Sequence, residues 1–211
     1  MAAHLAKACN CIALSIDYRL SPEHRFPAAI EDGVNAYKFL LESGYKSDHI
    51  VTAGDSCGGH LATSVLLYAR DKHLPMPACA VAISPWYDLT HNGPTMESNA
   101  KVNMLGNADT LKGMAQSFIE GTGAKLDDPL VSPLFANLKG LPPHWLSVAG
   151  YDMLKSGGDD MAAKMKREGI EVVYELHEGM QHVFELMAGK APEADRSIRM
   201  IGEWVRMKTG S

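Results

Sequence analysis

Val51-Thr52-Ala53-Gly54-Asp55-Ser56-Cys57-Gly58-Gly59-His60 is the stretch on which the reading of this chain turns. It reads as a short strand, a sharp glycine-flanked turn with a serine at its tip, and a helix start. Gly54-Asp55-Ser56-Cys57-Gly58 fits the G-x-S-x-G pattern of a nucleophile elbow. A serine on so tight a turn sits in strained backbone, so the residues two before and two after it are expected to be small. The turn lifts the hydroxyl off the sheet and aims the free N–H groups of a helix N-terminus at the same point. Five residues alone do not separate such an elbow from an ordinary turn, because glycine and serine serve both. The flanking sequence has to decide.

Upstream, residues 2–9 are alanine-rich and suit a short helix. Cys11-Ile12-Ala13-Leu14-Ser15-Ile16-Asp17-Tyr18 is a nearly continuous apolar run, as expected of a strand buried on both faces. From Phe26 the apolar positions 26, 30, 34, 37 and 41 make one helical stripe that stops near Gly44. His49 to Ala53 is the strand that feeds the turn. Downstream, Leu61, Val65 and Tyr68 give another helical stripe, and Ala78 to Ser84 a further buried strand. Strand and helix alternating in this way specify a parallel α/β sheet with right-handed crossovers.

Residues 86–143 break the rhythm. They are rich in proline and glycine, carry one amphipathic stretch at about Thr110 to Glu120, and read as a lid-like insertion or pocket wall. The alternation then resumes. His144 to Ala149 and Val172 to Leu176 are strands. Gly158 to Gly169 is a helix, and Ala191 to Met207 a last helix with Ala194, Ile198, Ile201 and Val205 on its inner face. The twelve methionines fall mostly on these inner faces and read as core or pocket fillers. The expectation is one α/β domain over residues 1–211, with a mostly parallel sheet of about five strands flanked by helices.

With 46% hydrophobic and 21% charged residues, the composition is that of a globular domain with a real core. A net charge of −5 argues against nucleic acid as a partner, since phosphate binding needs a basic face. The four cysteines, at 9, 11, 57 and 79, form no Cys-x-x-Cys pair and read as reduced thiols. No apolar run approaches the length of a membrane span, and the N-terminus does not have the form of a signal peptide. The expected location is cytoplasmic, without a metal or organic cofactor.

A serine hydroxyl needs a base within hydrogen-bond reach, and that base is usually a histidine oriented by a carboxylate. On an α/β-hydrolase sheet the chain order is serine, acid, histidine. Asp152 lies just past the His144–Ala149 strand and His182 just past the Val172–Leu176 strand. Ends of parallel strands converge on one sheet edge, so both meet Ser56 there. The rivals are weaker. Asp159 and Asp160 read as first-turn partners of a helix dipole. His177 lies at a strand end and reads as structural. His4, His24, His49, His60, His73, His91 and His144 have no matching acid-and-strand context.

The chain resembles the hormone-sensitive-lipase branch of α/β-hydrolase esterases. Matching stretches are Asp17-Tyr18-Arg19-Leu20-Ser21-Pro22-Glu23-His24, Phe26-Pro27-Ala28-Ala29 and Gly54-Asp55-Ser56-Cys57-Gly58-Gly59. Ser84-Pro85-Trp86-Tyr87-Asp88-Leu89-Thr90, Ser132-Pro133-Leu134 and Gly140-Leu141-Pro142-Pro143 follow, then Tyr151-Asp152 and Gly179-Met180-Gln181-His182-Val183-Phe184. The resemblance covers almost the whole chain. It implies a carboxylesterase acting on short-chain esters, with Ser56 as nucleophile, His182 as general base and Asp152 as its orienter. It also implies that Glu23 and Asp55 support these groups from behind.

One family feature is absent. The His-Gly-Gly-Gly motif, whose glycine N–H groups belong to the oxyanion hole, does not occur in these 211 residues. The resemblance thus implies an N-terminally abbreviated chain in which the Cys57 N–H is the remaining oxyanion donor. It also implies that a strand between the Cys11–Asp17 run and the elbow strand is missing. Three outcomes follow: closure of the gap, a second copy filling it in a homodimer, or a bare strand edge. The expected partners are a small-molecule ester and a second copy of the chain. A non-catalytic binding role and amide or deacetylase chemistry are the alternative readings.

Overall fold

The computed structural model describes residues 1–104 and 106–210. Among these residues four parallel strands form the sheet in the order in which they occur: β1 (Val51–Asp55), β2 (Cys79–Ile83), β3 (His144–Ala149) and β4 (Val172–His177). Val51 pairs with Cys79, Ala80 with His144, and His144 with Val172. Among the described residues seven α-helices surround it: α1 (Ala2–Cys9), α2 (Ala28–Glu42), α3 (Cys57–Asp71), α4 (Thr95–Ser98), α5 (Ala108–Ile119), α6 (Lys155–Arg167) and α7 (Pro192–Thr209).

β2 shows why its sequence is apolar at every position. Ala80 and Ala82 face a cluster with Leu66 and Leu67 of α3 and Met161 and Met165 of α6. Cys79, Val81 and Ile83 face the other way, against Ile201, Trp204 and Val205 of α7 and Cys9 of α1. Both faces of the strand are covered, so no alternation survives in the sequence. On the far side of α3, Leu61 and Val65 pack on Ile30, Val34 and Tyr37 of α2. The inner face expected for α7 is confirmed, with Ala194, Ile198, Ile201 and Val205 all buried.

The expected fifth strand does not form. Residues Cys11 to Tyr18 carry no strand hydrogen bonding, and Ile12 and Leu14 are 86% and 51% exposed. Apolar, β-branched composition is permissive for a strand, but a strand exists only where a neighbour supplies its ladder. The gap beside β1 does not close, so among the described residues β1 pairs with β2 alone and its other edge is free. The extended segment is fastened further on, where the Arg19 guanidinium and backbone N–H both donate to the Asp32 carboxylate.

Residues 86–143 are less of a surface excursion than their composition suggests. Tyr87, Val131 and Leu138 are fully buried, and Trp86, Leu89, Ala115, Ile119 and Val131 form a cluster with Leu154. His60 Nε2 meets the Val131 carbonyl at 3.0 Å, tying the segment to α3. The methionines divide. Met153, Met161 and Met165 fill the core, whereas Met104, Met114, Met187 and Met207 are exposed, on loops and outer helix faces where no core volume needs filling.

α1 docks on α7 across a glycine. A β-carbon at Gly202 would lie 2.5 Å from the Ala8 carbonyl oxygen, and the Arg206 guanidinium donates to that same oxygen. Gly202→Ala therefore forces the helices apart and is expected to destabilise the fold by about 1–3 kcal/mol in urea denaturation. Gly113→Ala in α5, where a β-carbon meets open space, is expected to leave stability unchanged or raise it by about 0.5–1 kcal/mol.

Candidate active site

Because all four strands are parallel, their carboxyl ends share one edge, and hydrogen bonds carry the ladder past the strands there. Ser56 N–H donates to Ile83 C=O (2.9 Å), Ser84 N–H to Ser147 C=O (2.7 Å) and Gly150 N–H to His177 C=O (2.9 Å). Ser56, Asp152 and His182 all emerge from this edge.

Ser56 sits between β1 and α3 with φ 54° and ψ −119°, a left-handed conformation costly for a residue with a side chain. Its carbonyl accepts the His60 and Trp86 N–H groups, each at 3.1 Å. The turn needs a glycine at 54, because a β-carbon there would run into the Gly58 carbonyl. The expected requirement two residues after the serine is not what the structure shows. A β-carbon on Gly58 meets nothing within 4 Å, because it points outward. The constraint falls one residue later, on Gly59, whose β-carbon would lie 3.0 Å from Pro85 Cβ. The first intrahelical bond of α3 comes from His60, so the N–H groups of Cys57, Gly58 and Gly59 precede its ladder. Cys57 itself is exposed, its thiol 3.8 Å from the Tyr18 hydroxyl.

Asp152 is 2% exposed, and its carboxylate is fully engaged. Oδ2 lies 2.6 Å from His182 Nδ1, and Oδ1 accepts the Leu154 N–H at 2.9 Å. With Nδ1–H donated to Asp152, His182 Nε2 is the nitrogen left to exchange protons. The Ser56 hydroxyl makes no hydrogen bond among the described residues. Such bonds are often long until substrate arrives.

The next residue, Val183, has φ 52°, rare for a β-branched side chain, and its N–H donates to Ser84 Oγ at 3.0 Å. Beyond it lies a group that sequence reasoning missed. The Glu185 carboxyl is fully buried, with Oε1 accepting from the hydroxyls of Ser147 and Ser197 and Oε2 unpartnered. Burial holds it above the usual carboxylate range, with a smaller contribution from Asp55. Only its position three residues after His182 hinted at this.

The remaining candidates fall elsewhere. Glu23 is exposed and makes no hydrogen bond or ion pair among the described residues. Asp55 ends β1, half-buried. Asp159 is not in a first turn, because α6 starts at Lys155; it pairs with Lys155 at 2.6 Å and accepts from Tyr174. His177 closes β4 and packs against Phe184, with ring centroids 4.8 Å apart and the planes tilted by 57°. His144 is wholly buried, with Nδ1 at 2.8 Å from the Pro142 carbonyl, and burial pulls its pKa down to about 4.

Comparison with known proteins identifies the family to which this fold belongs. The profile of a family described as alpha/beta hydrolase fold matches residues 1–186. An acetyl-hydrolase of Streptomyces hygroscopicus is 35% identical over 206 residues, spanning 98% of this chain and 68% of the relative. An esterase of Acinetobacter venetianus is 30% identical, spanning 95% of this chain and 66% of the relative. Among solved structures, an esterase of the bacterial hormone-sensitive lipase family superposes with a TM-score of 0.95 at 36% identity, covering 98% of this chain and 69% of that one. An esterase/lipase from an uncultured bacterium gives 0.94 at 38%, covering 100% and 70%. The chain belongs to the α/β-hydrolase fold family, in its hormone-sensitive-lipase-like esterase branch, and spans about two thirds to seven tenths of these relatives' lengths.

A carboxyl whose pKa is raised on folding takes up protons as the chain folds, so its contribution to stability falls as pH rises from the unfolded value through the folded one. Glu185→Gln removes this titration. Melting temperatures measured from pH 4 upward are expected to fall less steeply with pH in Glu185→Gln than in the parent chain.

Proposed function

We propose that this chain is a serine carboxylesterase for short acyl esters. The observation that carries the reading is the strained Ser56 at the N-terminus of α3, on the same sheet edge as the 2.6 Å Asp152–His182 pair. In this reading Ser56 Oγ attacks the ester carbonyl carbon while His182 Nε2 takes its proton. The C=O π pair moves onto oxygen, facing the Cys57 N–H. Collapse of the tetrahedral species expels the alkoxide, which His182 protonates, and leaves the acyl group on Ser56. Water, deprotonated by His182, then releases the carboxylic acid and restores the serine. Asp152 stays ionised and stabilises the imidazolium. The half-buried Ser56 beside an exposed Cys57, together with a relative named as an acetyl-hydrolase, supports small acyl groups. The 86–143 segment serves as the pocket wall.

Since the proposed oxyanion site keeps one identified donor, turnover is slow. Loss of a single donor costs on the order of 100- to 1,000-fold in kcat. Purified protein is expected to hydrolyse p-nitrophenyl acetate and butyrate above the rate of Ser56→Ala. Equal rates for the two proteins would end the esterase reading in favour of a binding role. A matched anilide, cleaved faster than the ester, would move the assignment to an amidase.

The free edge of β1 and the exposed Ile12 and Leu14 support a homodimer, because an unpaired edge beside apolar surface favours pairing with another copy. Light scattering is expected to give twice the chain mass. A monomeric mass across a wide concentration range would exclude the dimer.

A further inference from the structure

Asp152 and His182 lie on different loops, and a 2.6 Å hydrogen bond between them requires both loops to be held in one register. Neither loop does this alone. The Asp152 loop is bracketed by α4 and the residue that caps it. Thr95 Oγ1 donates to the Met153 carbonyl (2.8 Å) and accepts the Ser156 N–H (2.9 Å). Asn99, directly after α4, uses both protons of its amide: Nδ2 donates to the Gly150 carbonyl (3.0 Å) and to that of Asp152 itself (2.8 Å). The Gly150 carbonyl lies in the peptide plane before the Tyr151 Cα and the Asp152 carbonyl in the plane after the Asp152 Cα, so one side chain holds the backbone on both sides of the Tyr151–Asp152 peptide.

The same segment is gripped a few residues on by the other loop. Gln181, which directly precedes His182, donates from Nε2 to the Val102 carbonyl (2.9 Å) and accepts the Met104 N–H on Oε1 (2.9 Å). A primary amide that pairs with both a C=O and an N–H of one strand of backbone holds it at two points, as a neighbouring strand would. Residues 95–104 thus run from the acid loop to the base loop and are fastened to each.

We infer that residues 95–104 act as a strap that sets the Asp152–His182 hydrogen bond, with Asn99 and Gln181 as its positioning residues. The inference rests on the catalytic role proposed for that pair. Neither residue touches the reacting atoms. Each acts by fixing the backbone on which a reacting group is mounted, and because they grip one segment they act as a unit. When either lets go, the loops lose their common register and the Asp152–His182 hydrogen bond loosens.

The test uses Asn99→Ala, Gln181→Ala and the double variant, with two readouts. The first is the pH–rate profile of Ser56-dependent p-nitrophenyl acetate hydrolysis. The second is the far-downfield proton resonance of the His182 Nδ1–H···Asp152 bond, which needs no turnover. Each single variant is expected to lower kcat roughly tenfold with KM little changed, as for partial loss of a positioned base. The pH–rate profile should depart from the parental one, and the downfield resonance should broaden or vanish. The double variant should lose little beyond either single one, because coupled residues are not additive. Variants that keep the parental pH profile and resonance while only their melting temperature drops would overturn the inference, as would a parental protein without the resonance. Should Asn99→Ala fail to fold, Gln181→Ala, whose contacts lie at the surface, decides. A resonance present in the parent but no Ser56-dependent hydrolysis would remove the esterase reading, and the resonance in the variants would still judge the strap.

Discussion

A β-carbon at position 54 would fall on the Gly58 carbonyl, and the site depends on there being none. That close approach lets the chain leave β1 and enter α3 within a single residue, Ser56, whose left-handed backbone costs on the order of 1–3 kcal/mol. The strain persists because the surroundings over-determine it. The Ser56 N–H is spent on Ile83, its carbonyl on His60 and Trp86, and Gly59 lets Pro85 press in from the end of β2. The elbow is thus as much a product of the segment after β2 as of its own five residues. A second strained residue, Val183, follows His182 and is held by Ser84, from that same segment. These two departures from relaxed backbone lie at or beside the groups that would react, and residues 83–86, which include another at Ser84 (φ 43°), secure both.

Behind the pair lies a polar interior. Glu185 joins β3 to α7 through Ser147 and Ser197 with no basic partner within hydrogen-bonding or ion-pair distance among the described residues. When protonated, such a carboxyl binds hydroxyls without burying a charge, whereas its ionisation leaves one uncompensated in the core. It lies three residues beyond His182, so the base loop rests on a group whose favoured state changes with pH. In front of the pair, the Asn99 and Gln181 contacts are at or near the surface and serve register rather than burial.

Much of this was legible in the sequence, for definite reasons. β3 starts and ends where its apolar run does, and the inner face of α7 follows from its helical spacing, because each pattern reports burial that the fold satisfies. Asp152 and His182 were found from their places beyond strand ends, which depend on topology alone. The Cys11–Tyr18 run was misread because apolar composition reports what a strand would tolerate, not whether a neighbour is present to pair with it. The glycine requirement was placed at 58 rather than 59 because it depends on where Pro85 lies, a contact distant in sequence. Asn99 and Gln181 left no signal at all. Amides are common in loops, and what distinguishes these two is the partner each finds some 50 to 80 residues away.

The balance of the proposed reaction follows from what the fold over-specifies and what it leaves thin. The proposed nucleophile and acid are each held by several hydrogen bonds from separate elements, and the proposed base by its bond to the acid and by its fastened neighbours Gln181 and Val183. The oxyanion, by contrast, faces one identified N–H, that of Cys57, on the first residue of α3. Helix starts provide more than one free N–H, but those of Gly58 and Gly59 lie progressively further along the helix from the serine. Strengthening the nucleophile further would accelerate attack only as far as the resulting negative charge is accommodated, because stabilising that charge in the transition state usually contributes most to catalysis. In the proposed reaction, then, the Ser56 elbow sets where attack occurs, and the single donor beside it sets how fast.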